Sequence, residues 1–249
     1  MSELSGIKAI WYRESKVFFR EKSRVFSQIV TPLMWLLIFG SGVGSIVDVE
    51  GNNYQIFIYP GVIAQSILFS ALFFGTYIIW DRKIDFLKEV LVAPISRTSI
   101  FIGKILGGAT DSLIQSTALL LFAFIFGISL SPVQIVLFYI FSFLFIVTMA
   151  SMGLIIGSLM ESPEGFGLII SFVAFPMFLL SGALYPLQNL PLWLSILNKI
   201  NPASYAVDAF RNILIGVSNF GLITDFVVLS GFALVLIGIG TVSFKRMKV

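Results

Sequence analysis

Chemistry in this 249-residue chain must come from 16 Lys and Arg and 13 Asp and Glu, because the sequence holds no His and no Cys. Without Cys there is no disulfide framework, thiolate metal site or thiol nucleophile. Without His the usual proton shuttle near neutral pH is missing. No catalytic residue, metal ligand or bound cofactor is therefore assigned to the chain. A phosphate-cradling loop (Gly, four residues, Gly-Lys-Ser/Thr) is also absent: Gly103-Lys104 is followed by Ile105 and has Thr98 where the upstream Gly should stand. Any work powered by nucleotide hydrolysis must be driven from another polypeptide.

Two charged constellations remain. The first is residues 81–97 (DRKIDFLKEVLVAPISR), caught between apolar runs. Asp81 is placed to cap a short helix that Pro94 ends near Val92. Asp85, Lys88 and Glu89 are spaced for surface pairing, while Phe86, Leu87, Val90 and Leu91 give an apolar side. With Arg82, this pattern suits insertion into a groove on a cytoplasmic protein; a membrane-surface helix that only stabilises the turn is the alternative. The second constellation is Lys104 and Asp111. Seven residues apart on a helix, they share nearly one face, with Asp111 about 10 Å deeper. An ionisable group at that depth usually faces protein or water. It either lines a route or subunit contact, or is a structural acid bonded to a neighbouring helix. Asp225 falls near the outer end of the last apolar run.

The elements that position these groups are dictated by composition. Hydrophobic residues are 57%, charged residues 12%, and mean hydropathy is +0.99, the values of an integral membrane protein. Six windows meet the roughly 20 apolar residues of a helical crossing: 25–47, 56–79, 100–126, 133–159, 166–185 and 222–244. Their apolar runs are continuous, not alternating, which excludes a β-barrel. The fold class expected is an all-α membrane protein of six transmembrane helices in a single membrane domain over 1–249. The first 24 residues carry Lys8, Arg13, Lys16, Arg20, Lys22 and Arg24 ahead of a spanning run, so a retained anchor is expected and not a cleaved signal. Cations cluster in this segment, in the second loop and at Lys245, Arg246 and Lys248, leaving Lys199 and Arg211 for the other side. Both termini are thereby placed in the cytoplasm. The loop at 161–165 should also lie inside, although Glu161 and Glu164 are its charges.

Two segments flank the spans. Within 1–24, Ile7, Ile10, Trp11, Val17 and Phe18 share a helical face, with Lys8, Arg13, Lys16 and Arg20 beside and behind it, the pattern of an interfacial helix. Glu14 points into that apolar face, and either bonds an Arg or another helix end, or snorkels to the surface. After the fifth window, Pro186, Pro191 and Pro202 forbid one straight span, so 185–201 is expected as an outer re-entrant hairpin. Asn201-Pro202 reads as an N-cap and first helical position. An outer amphipathic helix over 202–216, suited to the membrane surface or to the lid of a pathway, would end at Gly216, with Asp208 and Arg211 spaced to pair.

Residues 86–115 (FLKEVLVAPISRTSIFIGKILGGATDSLIQ) and 180–214 (LLSGALYPLQNLPLWLSILNKINPASYAVDAFRNIL) resemble the two signature regions of the type-2 ATP-binding-cassette exporter permeases, which include multidrug-resistance and nodulation-type exporters. The entry through Arg13-Glu14 and residues 19–24 toward Pro32 is similar to that family's approach to its first span. The resemblance implies a permease that dimerises, as a homodimer or with a paralogue, and docks on two cytoplasmic ATPase subunits carrying ATP and Mg. It implies that an interface helix (Arg13, Glu14, Arg20) and a coupling helix (Asp81, Arg82, Asp85, Phe86, Leu87, Lys88, Glu89, Val90) engage the ATPase. It also implies that Gly182, Tyr185, Pro186, Leu190 and Pro191 belong to an outer gate. Lipid is an expected partner and nucleic acid is not. The cargo class expected is an amphiphilic drug, lipid or glycan; an ion-coupled carrier or a structural membrane anchor is the rival reading.

Overall fold

The computed structural model describes residues 3–44, 48–49, 52–188 and 190–247. Positions 45–47 of the first apolar window, Asn189 of the hairpin segment and Lys248 of the tail lie outside these residues. The protein is an all-α membrane protein. Among the described residues, five helical stretches are long and apolar enough to cross a bilayer: Lys22–Gly44, Tyr54–Lys83, Arg97–Phe126, Pro132–Leu159 and Leu222–Arg246.

The chain opens with α1 (Glu3–Arg20), turns at Glu21 and enters α2 (Lys22–Gly44). A two-residue antiparallel pairing, β1 (Asp48–Val49) with β2 (Asn52–Asn53), leads into α3 (Tyr54–Phe73). The chain then breaks at Phe74-Gly75, continues as α4 (Thr76–Lys83), and reaches the short α5 (Phe86–Val92). Next come α6 (Arg97–Phe122) with a 3-10 turn at Ala123–Phe126, α7 (Pro132–Leu159), α8 (Pro163–Leu179), α9 (Leu192–Ile200), α10 (Pro202–Ile215) and α11 (Leu222–Arg246). Helix α3 is the central element, packed against α2, α6, α7, α8 and α10.

Sequence chemistry accounts for most boundaries. Ser131 and Gln134 form a reciprocal capping box before Pro132. Ser162 caps α8 by accepting from the Gly165 N–H, with Pro163 at its first position. Asn201 accepts from the Ala203 N–H at 3.0 Å, and Gly216 ends α10 at φ 75°, as its sequence requires.

The fifth window is the exception. Helix α8 has 17 residues, about 26 Å, short of the roughly 30 Å hydrocarbon core. Leu180–Pro186 is a compact turn instead of further helix, with Gly182 at φ 75° and its would-be Cβ 2.5 Å from Leu187. Residues 185–201 hold that turn and α9, whose outward side carries exposed Leu192, Trp193 and Ile200.

Helix α10 also differs from expectation. It is buried along nearly its whole length against α3, α7 and α11, and is not a surface amphipathic helix. Helix α1 departs similarly. The face it buries is Gly6, Ile10, Glu14 and Phe18, turned onto α6 at Gly103 and Gly107, while Trp11 is exposed and donates to Thr110 Oγ1 at 2.8 Å.

Small residues set the closest crossing. A Cβ on Gly75 would lie 2.1 Å from Gly153 O, one on Gly153 2.2 Å from Leu72 O, and one on Gly157 2.4 Å from Gly75 O. This backbone-to-backbone approach joins α3 and α4 to α7, the use of small residues expected between membrane helices.

Candidate functional site

The end of the molecule that holds α5 is organised around four charges from three helices. Lys104 of α6 is buried and donates to Glu14 Oε1 at 2.9 Å and to Asp81 Oδ2. Arg13 of α1 donates through Nη2 to Asp81 Oδ1 at 2.7 Å, through Nη1 to Asp81 Oδ2 at 3.2 Å, and through Nη1 to Glu14 Oε1 at 2.8 Å. Two cations meet two anions, so the cluster is charge-balanced. Glu14 and Asp81 are 3% and 2% exposed, and taking such groups out of water costs several kcal/mol each unless close partners offset it. Burial works against the Arg13 charge, yet the Glu14 and Asp81 carboxylates hold its pKa above the ordinary value.

Local structure explains the convergence. Gly107 faces Glu14, and a Cβ there would meet Glu14 Cβ at 2.4 Å. The missing side chain lets α1 approach α6 closely enough for Lys104 to reach Glu14.

Asp81 is thus not the cap of a coupling helix. It sits inside α4, aimed at Lys104 and Arg13, and the residue before α5 is Asp85, at φ 58° with no side-chain cap bond. Helix α5 is consequently shorter than the 81–92 expected. Its apolar side is turned inward: Leu87 and Val90 are buried, and the Phe86 ring lies 4.1 Å beneath the Arg13 guanidinium. The face left to solvent carries Asp85, Lys88 and Glu89, with Lys88 Nζ 2.7 Å from Asp85 Oδ1. Arg82 points away from that face and donates to the Ser158 and Met160 carbonyls, both at 3.0 Å. Arg20 is exposed at the end of α1.

A second cluster lies beside the first. Arg24 Nη2 bonds Asp111 Oδ2 at 2.6 Å and Arg24 Nη1 donates to the Tyr77 hydroxyl, which in turn donates to Glu21 Oε2 at 2.7 Å. Asp111 is 1% exposed. It therefore pairs with α2 and not with Lys104, despite sharing a helix with it. Between the clusters opens a cavity of about 840 Å³, whose wall includes Arg24, Trp35, Gln65, Phe69, Tyr77 and Phe175. Its aromatic and amide surfaces suit a molecule with both apolar and polar parts.

On the opposite side, Asp208 of α10 is the acceptor for a loop. It receives Ser218 Oγ at 2.7 Å, Asn219 N at 2.7 Å, Phe220 N at 2.9 Å and Gly221 N at 3.4 Å. Arg211 donates to Gly182 O at 2.8 Å and stacks over Phe57 at 4.3 Å. Asn198 reaches Leu180 O at 2.7 Å and Asn201 reaches Met177 O at 2.6 Å. Together these bonds fasten the 180–186 turn, α9 and α10 into one assembly holding Gly182, Tyr185 and Pro186, with Leu190 and Pro191 leading into α9. Burial raises the Tyr185 hydroxyl pKa.

Sequence reasoning singled out Glu14, Lys104, Asp81 and Arg13 separately but not their meeting. The available signal was Glu14 on an apolar face and Lys104 within a span, two charges each needing a buried partner. Arg24 and Tyr77 went unremarked as partners of Asp111.

Comparison with known proteins adds an independent line. A family model described as ABC-2 type transporter matches residues 5–215. The chain is 32% identical over 238 residues to the inner membrane transport permease YadH of Escherichia coli, covering 91% of this chain and 90% of that protein. It is 30% identical over 214 residues to the putative transport permease ycf38 of Cyanophora paradoxa, covering 82% and 73%. To nodulation protein J of Rhizobium leguminosarum it is 23% identical over 212 residues, covering 84% and 82%.

Proposed function

Since the chain belongs to the ABC-2 type transporter family, we propose that it is the multi-pass permease subunit of an ATP-driven exporter, powered by two cytoplasmic ATPase subunits that hold ATP and Mg. It works as a dimer, more readily with itself than with a paralogue, and both termini face the cytoplasm. The observation that carries this reading is the buried quartet Arg13–Glu14–Asp81–Lys104 beneath α5. A partner pressing on the charged face of α5 acts on a segment whose base, through Phe86 and Asp81, is fixed by ion pairs to α1 and α6. Buried ionic contacts give up several kcal/mol when they are separated, so the three helices should move as one body. The cargo is an amphiphile of drug, lipid or glycan type, a class supported by the mixed lining of the cavity beside the quartet. Residues 182–191 serve as the outer gate.

The test is reconstitution in liposomes with and without an ATPase subunit. Cargo movement should need ATP, Mg and the second protein, and reversing Asp85 and Lys88 together should leave hydrolysis running while movement stops. Movement by the permease alone on an ion gradient would replace this reading with that of a secondary carrier.

A further inference from the structure

The loop carrying α5 ends, on each side, in an arginine that grips a different helix. Arg82, near the end of α4, donates Nη2 to Ser158 O and Nη1 to Met160 O, both at 3.0 Å. Arg97, the first residue of α6, donates Nη1 to Phe244 O at 3.3 Å, Lys245 O at 3.1 Å and Met247 O at 2.7 Å. The acceptors are the closing carbonyls of α7, which ends at Leu159, and of α11, which ends at Arg246.

Chemistry explains why arginine stands at both places. The last turn of a helix leaves up to four carbonyls without an intrahelical partner, and they form the negative end of the helix dipole. A guanidinium stays charged and presents several donors, so one side chain reaches more than one carbonyl, Arg82 through both terminal nitrogens and Arg97 through Nη1. Neither arginine belongs to the Arg13–Lys104 quartet, and neither lies on the Asp85–Lys88–Glu89 face offered to a partner.

Helices α7 and α11 pack closely against each other. They contribute nothing to the quartet, whose members come from α1, α4 and α6. The quartet alone therefore gives a displaced α5 no ionic hold on these two spans. The arginine grips supply one, at the inner tips where a small shift tilts the whole helix.

We infer that Arg82 and Arg97 are positioning residues that carry a displacement of α5 separately to the inner ends of α7 and α11. This rests on the reading that an ATPase moves α5. Each arginine serves its own helix, and this division of labour separates transmission from simple capping.

The chain's lack of Cys makes distance measurement between introduced spin labels direct. Labels at Lys22→Cys with Glu161→Cys report the α7 tip, and at Lys22→Cys with Lys245→Cys the α11 tip. All three positions are exposed. The full permease with its ATPase subunits, in lipid nanodiscs, is measured with and without ATP and Mg. Both distances should change in the parent. Arg82→Gln should abolish the change at Glu161 and keep it at Lys245, Arg97→Gln should do the reverse, and hydrolysis should persist in both. Arg→Lys at each site should recover part of the lost change, and serves as the variant of choice where Gln impairs assembly. Persistence of both changes in the Gln variants, or loss of both whichever arginine is replaced, overturns the inference. Absence of any change in the parent during hydrolysis overturns the coupling reading itself.

Discussion

The Arg13–Lys104 quartet and the Asp208 cluster both bury carboxylates, but they satisfy them in opposite ways. In the quartet, Glu14 and Asp81 are held by side chains contributed from elements far apart in sequence, up to 90 positions between Glu14 and Lys104. Asp208 takes its donors from a loop 10 to 13 residues further along the chain, largely backbone N–H groups. The first arrangement ties helices to one another; the second shapes a local turn. A contact between long side chains of separate helices can shift as a unit, whereas a carboxylate held by consecutive backbone amides fixes the loop around it. The difference suits one end of the molecule to movement of whole helices and the other to a fixed local form.

Mutations can break or sharpen that contrast. The largest effect is expected for Lys104→Met, which leaves two buried carboxylates to Arg13 alone and should lower stability by about 3–5 kcal/mol. Thermal unfolding of the purified protein in detergent reads this. Adding Asp81→Leu should recover part of the loss, because it removes one of the stranded charges; no recovery would show that the quartet is not a unit. Asp208→Ala should cost less, about 1–3 kcal/mol for donors left unsatisfied, with increased hydrogen exchange confined to residues 216–221. Exchange spreading to α1 or α6 would contradict its local character.

Gly107→Leu comes next. Overpacking typically costs about 1–3 kcal/mol, and here it should push α1 off α6, exposing Glu14 and Lys104 to labelling by water-soluble reagents. Charge reversal of the exposed Asp85–Lys88 pair should change stability by less than about 1 kcal/mol while abolishing ATP-coupled transport. An equal loss of stability and coupling would place α5 in the scaffold and not at the partner interface.

The smallest effect concerns Glu3, which accepts from Ser99 Oγ and from Ser96 N at the start of α6. Hydrogen bonds from Ser99 and Ser96 lower the Glu3 pKa. The stability this contact lends is therefore complete above the ordinary carboxylate pKa and is lost as pH falls through the lowered value. Protection of α1 amides, taken relative to their intrinsic exchange rates, should fall on acidification in the parent, while Glu3→Gln should remove that pH dependence.

Helix positions were largely readable from hydropathy and caps. Ser131-Pro132, Ser162-Pro163, Asn201-Pro202 and Gly216 mark boundaries by local chemistry that needs no tertiary context. Where reading failed, the cause was a partner supplied from elsewhere. Asp81 looked like a cap because its local pattern fits one; Lys104 and Arg13 claim it instead. Leu87 and Val90 looked available for docking because periodicity shows a face without showing what covers it. Helix α10 carries polar residues that suggested a surface, yet loop amides absorb Asp208, and Gly182 O with the Phe57 ring takes Arg211.

The sequence by itself determined a membrane protein of long apolar helices, their approximate ends, and the absence of His, Cys and a phosphate loop. Those properties follow from composition and from contacts within a few residues. Only the tertiary structure decided that Arg13, Glu14, Asp81 and Lys104 share one site, that Asp111 belongs to Arg24, and that Gly75, Gly153 and Gly157 mark a single crossing. A buried charge states its need for a partner in the sequence, but the partner's identity depends on which helices pack together, and that is settled by the whole chain at once.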